Sequence, residues 1–316
     1  MEKFTFIDLF AGIGGFRLAL ESIGGECVFS SEFDKKARET YIRNFGEPLY
    51  GDITCESVTA EIPESFDILC GGFPCQPFSV AGLKKGFSDE RGSLFFNIVE
   101  ITEKHRPKVV FLENVKNLLT FDKGGSFKTI RETLENMGYK VFYKVLNARE
   151  YSGVPQNRER LFIVAFDLNQ IGDCGKFVFP ERIPLETSVR DLLDEDIENK
   201  YYYGETSAIY PVLRENVTDL DTVYQWRRKY VRENKKGVCP TLTANMGMGG
   251  HNVPIILDDE GVRRLTPREC LRLQGFPESF VFPDEVGDMS RYKQVGNSVV
   301  VPLVKRIGEE ILKILR

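Results

Sequence analysis

Apolar residues recur along this chain in short runs that alternate with segments of helical period. The first run, residues 4–10, is followed by a glycine turn and by Phe16, Ala19, Leu20 and Ile23, which are spaced as on one helix face. Further strand-like runs are residues 27–31, 66–70, 108–112, 140–146 and 161–166, and helices are predicted at 37–45, from 93 onward and at 127–137. This alternation predicts an α/β fold that opens with a βαβ unit.

The pattern changes near residue 180, where periodicity weakens, charges alternate and tyrosines cluster at 201–203. We predict a large first domain over residues 1–179 and a small, irregular, mostly-β domain over 180–268. Residues 269–296 are predicted as a hinge, and 297–316 as a helix that returns to the first domain. Residues 294–298 are expected to open that last amphipathic helix, whose apolar face carries Val300, Val304, Ile307 and Ile311.

Composition places the chain among ordinary folded proteins, with 316 residues, 42% hydrophobic and 28% charged. No apolar run approaches the roughly 20 residues of a membrane span, and the first residues lack a signal-peptide cleavage site. The seven cysteines are scattered and odd in number, which favours a reducing, cytoplasmic setting without a disulfide framework. They form no cluster with metal-ligand spacing, and two histidines argue against a histidine-based triad.

Charge is segregated, although the net charge is only −5. Residues 181–222 carry 11 acidic and 4 basic side chains, whereas 223–236, VYQWRRKYVRENKK, carry 6 basic and 1 acidic. The second segment interleaves Trp226 and two tyrosines with Arg227, Arg228 and Lys229. Aromatic and basic side chains together suit phosphate and base contacts, so this segment is a candidate nucleic-acid surface; a solvated face is the alternative.

The glycine turn at residues 11–15, AGIGG, links a predicted strand to a predicted helix, as in nucleotide-binding units. The dehydrogenase pattern G-x-G-x-x-G fails because Arg17 stands at the third glycine. Glu32 ends the second strand about 20 residues after the loop, where a ribose-binding acid is expected. Gly51, Asp52 and Ile53 follow the next helix. Taken singly, Glu32 and Asp52 are more simply explained as surface carboxylates.

A cysteine lies in the stiff loop of residues 71–79, GGFPCQPFS, after the apolar run 66–70. In open α/β sheets ligands bind at the carboxyl ends of strands, so Cys75 is placed as a nucleophile. A lone cysteine is more often a small buried hydrophobe. Glu113 follows the neighbouring strand in the same way, with a helix N-cap as its alternative role.

These segments together resemble the DNA (cytosine-5)-methyltransferase family. The matches run in the family's order through FAGIGG, Glu32, the Pro-Cys-Gln loop, Glu113-Asn114-Val115, Gln156-x-Arg-x-Arg and Gln294-x-Gly-Asn-Ser. The resemblance implies a Rossmann-like, S-adenosylmethionine-dependent large domain with a target-recognition domain, of the bacterial or phage restriction-modification type. The cofactor residues it implies are Phe10, Ala11, Gly12, Gly14, Gly15, Glu32, Phe33, Asp52, Ile53, Gly72, Pro74, Leu94, Asn297 and Ser298.

The resemblance also implies a mechanism. Carbon 5 of cytosine is a poor nucleophile, and addition of the Cys75 thiolate to carbon 6 would make carbon 5 nucleophilic. Glu113 would protonate or hydrogen-bond nitrogen 3, and Arg160, with Arg158, would bind the exocyclic oxygen. None of these atoms is reachable in stacked duplex DNA, so the cytosine must be flipped out.

The expected partner is double-stranded DNA, methylated at a short sequence by a monomer; a cognate restriction endonuclease is expected to be encoded nearby but not bound. The expected DNA-contacting residues are Gln76, Ser79, Arg227, Arg228, Thr241, Thr243, Gly249 and Gly250. Three alternatives stay open at this point. They are a tRNA cytosine-5 methyltransferase, a catalytically silent DNA-binding module and a dinucleotide oxidoreductase, the last disfavoured by the missing glycine.

Overall fold

The structure is a computed structural model that describes residues 3–46, 49–74, 93–234, 237–249 and 252–315. Cys75, Gln76, Ser79 and Gly250 therefore lie outside the described residues. The elements up to residue 171 are β1 (Phe4–Leu9), α1 (Gly15–Glu21), β2 (Gly25–Ser31), α2 (Lys35–Phe45), α3 (Glu56–Thr59), β3 (Ile68–Gly72), α4 (Ser93–His105), β4 (Val109–Val115), α5 (Gly125–Asn136), β5 (Tyr139–Asn147), α6 (Ala148–Tyr151), β6 (Gln156–Asn157), β7 (Glu159–Asp167) and α7 (Leu168–Ile171).

The remaining elements are shorter until the last helices. They are α8 (Tyr210–Asn216), β8 (Tyr224–Arg227), β9 (Tyr230–Glu233), β10 (Cys239–Pro240), β11 (Ile255–Leu257), β12 (Val262–Arg264), α9 (Pro267–Arg272), α10 (Asp288–Asn297) and α11 (Val301–Leu315). Short 3-10 helices occur at Lys116–Leu119, Phe121–Gly124, Arg190–Leu192, Asn199–Tyr201 and Ala244–Gly247. No described helix combines the length and the apolar composition that crossing a membrane requires.

Six strands form the central sheet in the order β2-β1-β3-β4-β7-β5. The first four strands are parallel to one another, whereas β7 runs antiparallel to both β4 and β5. The amino end of β7 therefore lies at the same edge of the sheet as the carboxyl ends of β1, β3 and β4. The predicted α/β class is confirmed, and this edge carries the candidate site.

Both faces of the sheet are covered, because side chains along a strand alternate between them. Phe4 and Phe6 of β1 pack into one apolar cluster with α1 and α11, while Ile7 and Leu9 pack into another with α4 and α5. Helices α1 and α11 approach closely at Gly308, where a Cβ would lie 2.8 Å from Ile23 and 3.0 Å from Leu20.

Four strands form a second, antiparallel sheet in the order β12-β11-β8-β9. It has a small core of its own, made by Leu213, Val217, Tyr224, Ile255 and Val262. The segment that includes Cys239, Leu242 and Met246 instead joins the main core, and β10 pairs in parallel with β6. The region after residue 180 is thus anchored to the main core, and the domain boundaries given above stay a prediction.

One local expectation is wrong. Gln294 and Asn297 belong to the end of α10 and do not open the final helix, which starts at Val301. Ser298 has extended backbone (φ −79°, ψ 168°), which ends the first helix. Pro302 stands in the first turn of the second helix, where its missing N–H costs no hydrogen bond.

Candidate active site

A glycine loop turns the chain sharply at the carboxyl end of β1. Phe10 and Gly12 both have φ 56° and Gly14 has φ 87°, a left-handed conformation that favours glycine. The amide of Ala11 donates to the carbonyl of Ser31 at 2.9 Å, which ties the loop to the end of β2. A Cβ at Gly12 would meet nothing within 4 Å, so the loop backbone borders open space there.

Glu32 lies beside this loop and organises the chain around it. Its two carboxylate oxygens accept from the amides of Gly12 at 2.8 Å and Asp34 at 2.7 Å. Burial raises the pKa of Glu32, although these backbone hydrogen bonds act in the opposite direction. The next residue, Phe33, leaves its ring 75% exposed. A half-buried acid beside an exposed aromatic ring suits a ribose and an adenine.

The other predicted cofactor residues lie in two further segments. Asp52 is half-buried and accepts at 2.9 Å from both the amide and the hydroxyl of Thr54, while Ile53 is buried. Gly72 and Leu94 are half-buried and Pro74 is exposed.

Residues 298–299, from the C-terminal part of the chain, lie against the glycine loop. A Cβ on Gly15 would lie 3.0 Å from Ser298 Oγ and 2.7 Å from Val299. Ser298 is buried, and Asn297 is exposed at the end of α10. The loop, Glu32, Phe33 and the 297–298 segment thus offer the shape and donor set that an S-adenosyl group requires, and they fit that cofactor.

Glu113 and Arg160 face each other at the same edge of the sheet. Arg160 Nε lies 3.0 Å from Glu113 Oε1, and both side chains are nearly buried, at 14% and 11% exposure. This contact is an ion pair without hydrogen-bond geometry, since Glu113 Oε1 has no hydrogen-bond donor among the described residues. The antiparallel pairing of β4 and β7 brings the two residues together. Arg160 pairs with Val115, which lies on the same face of β4 as Glu113 and two residues beyond it.

The loop that leads to Cys75 is held by β4. Gly72 pairs with Glu113, and a Cβ on Gly72 would lie 3.4 Å from Glu113 Oε2. Asn114 is buried and its amide donates to the carbonyl of Phe73 at 2.8 Å. Phe73, two residues before Cys75, is therefore held next to Glu113. Cys75 itself is outside the described residues.

Arg158 has a different environment from Arg160. Its side chain is buried, and its terminal nitrogens donate to the carbonyls of Leu242 and Ser298 at 2.6 Å each, with Gly296 at 3.4 Å. Burial lowers the pKa of Arg158 to about 9, which leaves it charged at neutral pH. This geometry favours a clamp between three segments over the contact with the base that the sequence suggested.

Comparison with known proteins identifies the arrangement. A model of the C-5 cytosine-specific DNA methylase family matches residues 4–313. The chain is 49% identical over 311 residues to the type II methyltransferase M.Bsp6I of Bacillus sp. (strain RFL6), covering 97% of this chain and 98% of that protein. It is 44% identical over 330 residues to M.HpaII of Haemophilus parainfluenzae, with 99% and 90% covered. The chain belongs to the C-5 cytosine-specific DNA methylase family.

The fold agrees with this assignment. The solved structure of the methyltransferase EhMeth from Entamoeba histolytica covers 100% of both chains with a TM-score of 0.76, at 18% identity. The chain is thus a DNA cytosine-5 methyltransferase with S-adenosylmethionine as methyl donor, and the predictions of family, enzyme class and cofactor are confirmed. The tRNA, silent-module and oxidoreductase alternatives are set aside.

Of the methyltransferase's predicted DNA-contacting residues, those that the structure describes lie on two surfaces. Strands β8 and β9 form a hairpin in which Arg227 pairs with Tyr230, so that Arg228 and Lys229 make the turn. Arg227, Arg228 and Lys229 are exposed, and none makes an ion pair with another described residue. Arg228 has φ 59°, an uncommon conformation for a residue with a Cβ.

The second surface is the recognition loop, which we define as residues 241–249. The Thr241 hydroxyl donates to the Asn157 carbonyl at 2.6 Å, so it serves the loop's attachment to β6. Thr243 is half-buried in extended backbone before the 3-10 helix Ala244–Gly247. Gly249 is exposed with φ 93°.

Sequence reasoning missed the residues that hold this loop and the Cys75 loop. Gln156 is fully buried, donates to the Leu273 carbonyl at 2.6 Å and accepts from the Leu242 amide at 3.1 Å. Asn114 holds the Cys75 loop in the same way, because its side-chain amide donates to the Phe73 carbonyl. Asn114 offered a signal, because it is an uncharged polar residue shortly after an apolar run, where burial requires hydrogen-bond partners, whereas Gln156 lies next to polar and charged residues and offered none.

Proposed function

We propose that Cys75 is the nucleophile that adds to carbon 6 of a flipped cytosine, with Glu113 at nitrogen 3 and Arg160 at the exocyclic oxygen. The observation that supports this best is the Glu113–Arg160 ion pair, 3.0 Å across and nearly buried, beside the end of the strand that leads to Cys75. Such a pair has charge in place before the base arrives, and preorganised charge stabilises a transition state most in a dry site.

Each side chain then has a distinct task. Glu113 gives nitrogen 3 a proton as the thiolate adds, which lets the ring accept the electron pair, so the carboxylate of the ion pair must take up a proton before the addition. Arg160 stabilises negative charge that develops on the exocyclic oxygen. Arg158 supports both by fixing the start of β7 against residues 242, 296 and 298. When bound, S-adenosylmethionine supplies an electrophilic methyl group on its sulfonium.

For the cofactor, we assign Glu32 to the ribose hydroxyls, Phe33 and Ile53 with Asp52 to the adenine, and the glycine loop with Asn297 and Ser298 to the methionine part. The open Cβ side of Gly12 and the exposed Phe33 ring support these positions. Gly72, Pro74 and Leu94 complete the pocket in this proposal.

For DNA, we assign sequence choice to residues 180–262, with the hairpin at Arg227 and Arg228 and the recognition loop placed against the duplex. The cations of the hairpin support this assignment, because they are exposed and form no ion pair with a described residue, and phosphates attract such side chains. In the biological role we propose, the enzyme acts as a cytoplasmic monomer and protects host or phage DNA from a restriction endonuclease encoded nearby. The relatives' names as type II methyltransferases and the free described cysteines support this role.

The deciding experiment is bisulfite sequencing of DNA from a methylation-deficient host that expresses the enzyme. Wild type should methylate one cytosine at carbon 5 in every occurrence of one short sequence. Cys75→Ser should abolish methylation, since an alcohol is far less ionised than a thiol at neutral pH. Glu113→Gln should lower turnover by about 10²- to 10⁴-fold. Methylation by Cys75→Ser at near wild-type levels would remove Cys75 as the nucleophile.

A matched control separates chemistry from folding. Glu159→Gln changes an exposed carboxylate that pairs with Lys116 one residue before Arg160. It should leave turnover within about twofold, because exposed ion pairs contribute little.

A further inference from the structure

Helix α10 lies between the recognition loop and the proposed adenosyl pocket and contacts both. On the loop side, a Cβ on Gly296 would collide with the backbone of Thr243, so the two backbones are in direct contact. On the pocket side, the Gln294 carbonyl oxygen of the side chain accepts from the Thr40 hydroxyl at 2.8 Å, and both residues are buried. The helix is thus fixed to α2 and to the loop at once.

One side chain of this helix reaches both surfaces. The main chain and Cβ of Lys293 border Gly247 of the recognition loop, since a Cβ on that glycine would lie 2.8 Å from Lys293 Cβ. The ammonium group of Lys293 donates to Asp34 Oδ2 at 2.6 Å. This ion pair lowers the pKa of Asp34 against the opposing effect of its partial burial.

Asp34 in turn belongs to the structure that presents the adenosyl pocket. Its Oδ1 caps α2 by accepting from the amides of Lys36 at 2.9 Å and Ala37 at 3.2 Å. Its own amide donates to Glu32 Oε1 at 2.7 Å, one residue beyond the exposed Phe33. A change in the position of Asp34 therefore acts on the acid assigned to the ribose.

We propose that Lys293 is a positioning residue that couples occupancy of the recognition loop by DNA to cofactor affinity, through Gly247 on one side and Asp34 on the other. The inference rests on the proposed placement of DNA against the loop. Coupling of this kind is reciprocal, so the same contact strengthens DNA binding when the cofactor site is filled. Lys293 itself touches neither ligand in this arrangement.

The test measures the dissociation constant of S-adenosylhomocysteine by calorimetry, with and without a saturating duplex that carries the target sequence found by bisulfite sequencing. The ratio of the two constants is the coupling. Lys293→Met keeps the aliphatic stem and removes the charge, and it should lower this ratio by about two- to five-fold, as expected for a partly exposed ion pair. Lys293→Arg should restore most of the ratio.

Lys36→Met is the matched control. Lys36 is 48% exposed against 50% for Lys293, lies at the start of α2 and pairs with Glu39 at 2.9 Å. This variant should keep the wild-type ratio, because its ammonium contacts neither Asp34 nor the recognition loop. An equal loss in Lys36→Met would show a general charge effect and would overturn the assignment.

A double-mutant cycle tests the path. Asp34→Asn retains an N-cap residue but removes the carboxylate, so it should lower the ratio as Lys293→Met does, and the double variant should lose no more. Independent, additive losses would overturn the path through Asp34, and a wild-type ratio of one, or an unchanged ratio in Lys293→Met, would overturn the coupling role. A wild-type protein that binds S-adenosylhomocysteine but methylates no DNA would instead overturn the proposed function.

Discussion

The two sheets treat charged side chains in opposite ways. At the edge of the six-stranded sheet the functional charges are withdrawn from water and held by short contacts, as Glu113 and Arg158 show. On the four-stranded sheet the cations of the β8–β9 hairpin are exposed and unpaired among the described residues. Sheet packing explains the contrast, since the first sheet has helices on both faces and the second ends in an outlying hairpin.

This difference matches two kinds of work. Catalysis needs groups fixed before the substrate arrives, and burial among hydrogen-bond partners fixes them. Recognition of a long polyanion needs charge that is free to meet phosphates, and pairing within the protein would weaken it. Arg158 links the edge of the large sheet to the recognition loop, because it donates to the carbonyl of Leu242.

The sharpest test of the comparison is a pair of arginines two residues apart. Arg158→Ala should lower the free energy of unfolding by about 3–5 kcal/mol, because it leaves buried carbonyls without donors. Arg160→Ala should lower kcat by about 10²- to 10³-fold and should lower stability less than Arg158→Ala does, because it removes one ion pair and leaves the carbonyl contacts of Arg158 in place. Urea denaturation and single-turnover methylation measure the two effects. If Arg158→Ala unfolds like wild type and only turnover falls, Arg158 contacts the base after all.

Among the described residues, the large sheet contains a buried acid with an unpaired oxygen, whereas the small region pairs its buried charge. Asp8 is fully buried in β1, its Oδ2 has no hydrogen-bond donor among the described residues, and burial raises the pKa of its carboxyl to about 8. In the small region, buried Arg263 instead pairs with Glu269 at 2.8 Å and with Asp258.

This contrast predicts a pH effect of definite sign. The folded state holds the Asp8 proton up to about pH 8, whereas the unfolded state releases it near pH 4, so wild type loses stability as pH rises between these values. Asp8→Asn cannot ionise. The difference between its melting temperature and that of wild type should therefore increase by roughly 5 °C from pH 5 to pH 8. Asp259→Asn, an exposed change in the other region, should show no such gain. Parallel curves for Asp8→Asn and wild type would place the Asp8 pKa near its ordinary value.

The sequence predicted the large sheet better than the contacts between regions. Apolar runs located β1, β3 and β7 within two residues and β4 within three, because burial on both faces imposes a hydrophobic pattern. Glu113 and Cys75 could be proposed because each follows such a run. The ladder direction that brings Arg160 to Glu113 is a tertiary property and leaves no periodic signal.

Long-range polar contacts were beyond the sequence for the same reason. Arg158 and Arg160 look equivalent in QNRER, and two residues apart on one strand they would share a face. Arg158 instead lies between β6 and β7, and only packing decides what each arginine meets. Lys293 and Asp34 are 259 residues apart, and nothing local in either segment indicates the other. The break at Ser298 was missed because the apolar period continues through it.

The smallest expected effects concern the hairpin, and they test whether its exposure serves recognition. Arg228→Gly suits the turn, since glycine adopts φ 59° without steric cost, so any loss of DNA binding reports the side chain alone. Arg227→Ala removes the neighbouring cation from a strand position. Each change should weaken binding of the target duplex by about 1–2 kcal/mol, and Lys176→Ala on the large region should not.

Binding is measured by fluorescence anisotropy at two salt concentrations, on the target and on its single-base variants. A phosphate contact predicts uniform weakening and a salt slope shallower by about 0.9, whereas base readout predicts relaxed choice at one base pair. Unchanged affinity in both variants would make the hairpin an ordinary solvated surface, and the contrast between the two sheets would then concern stability alone.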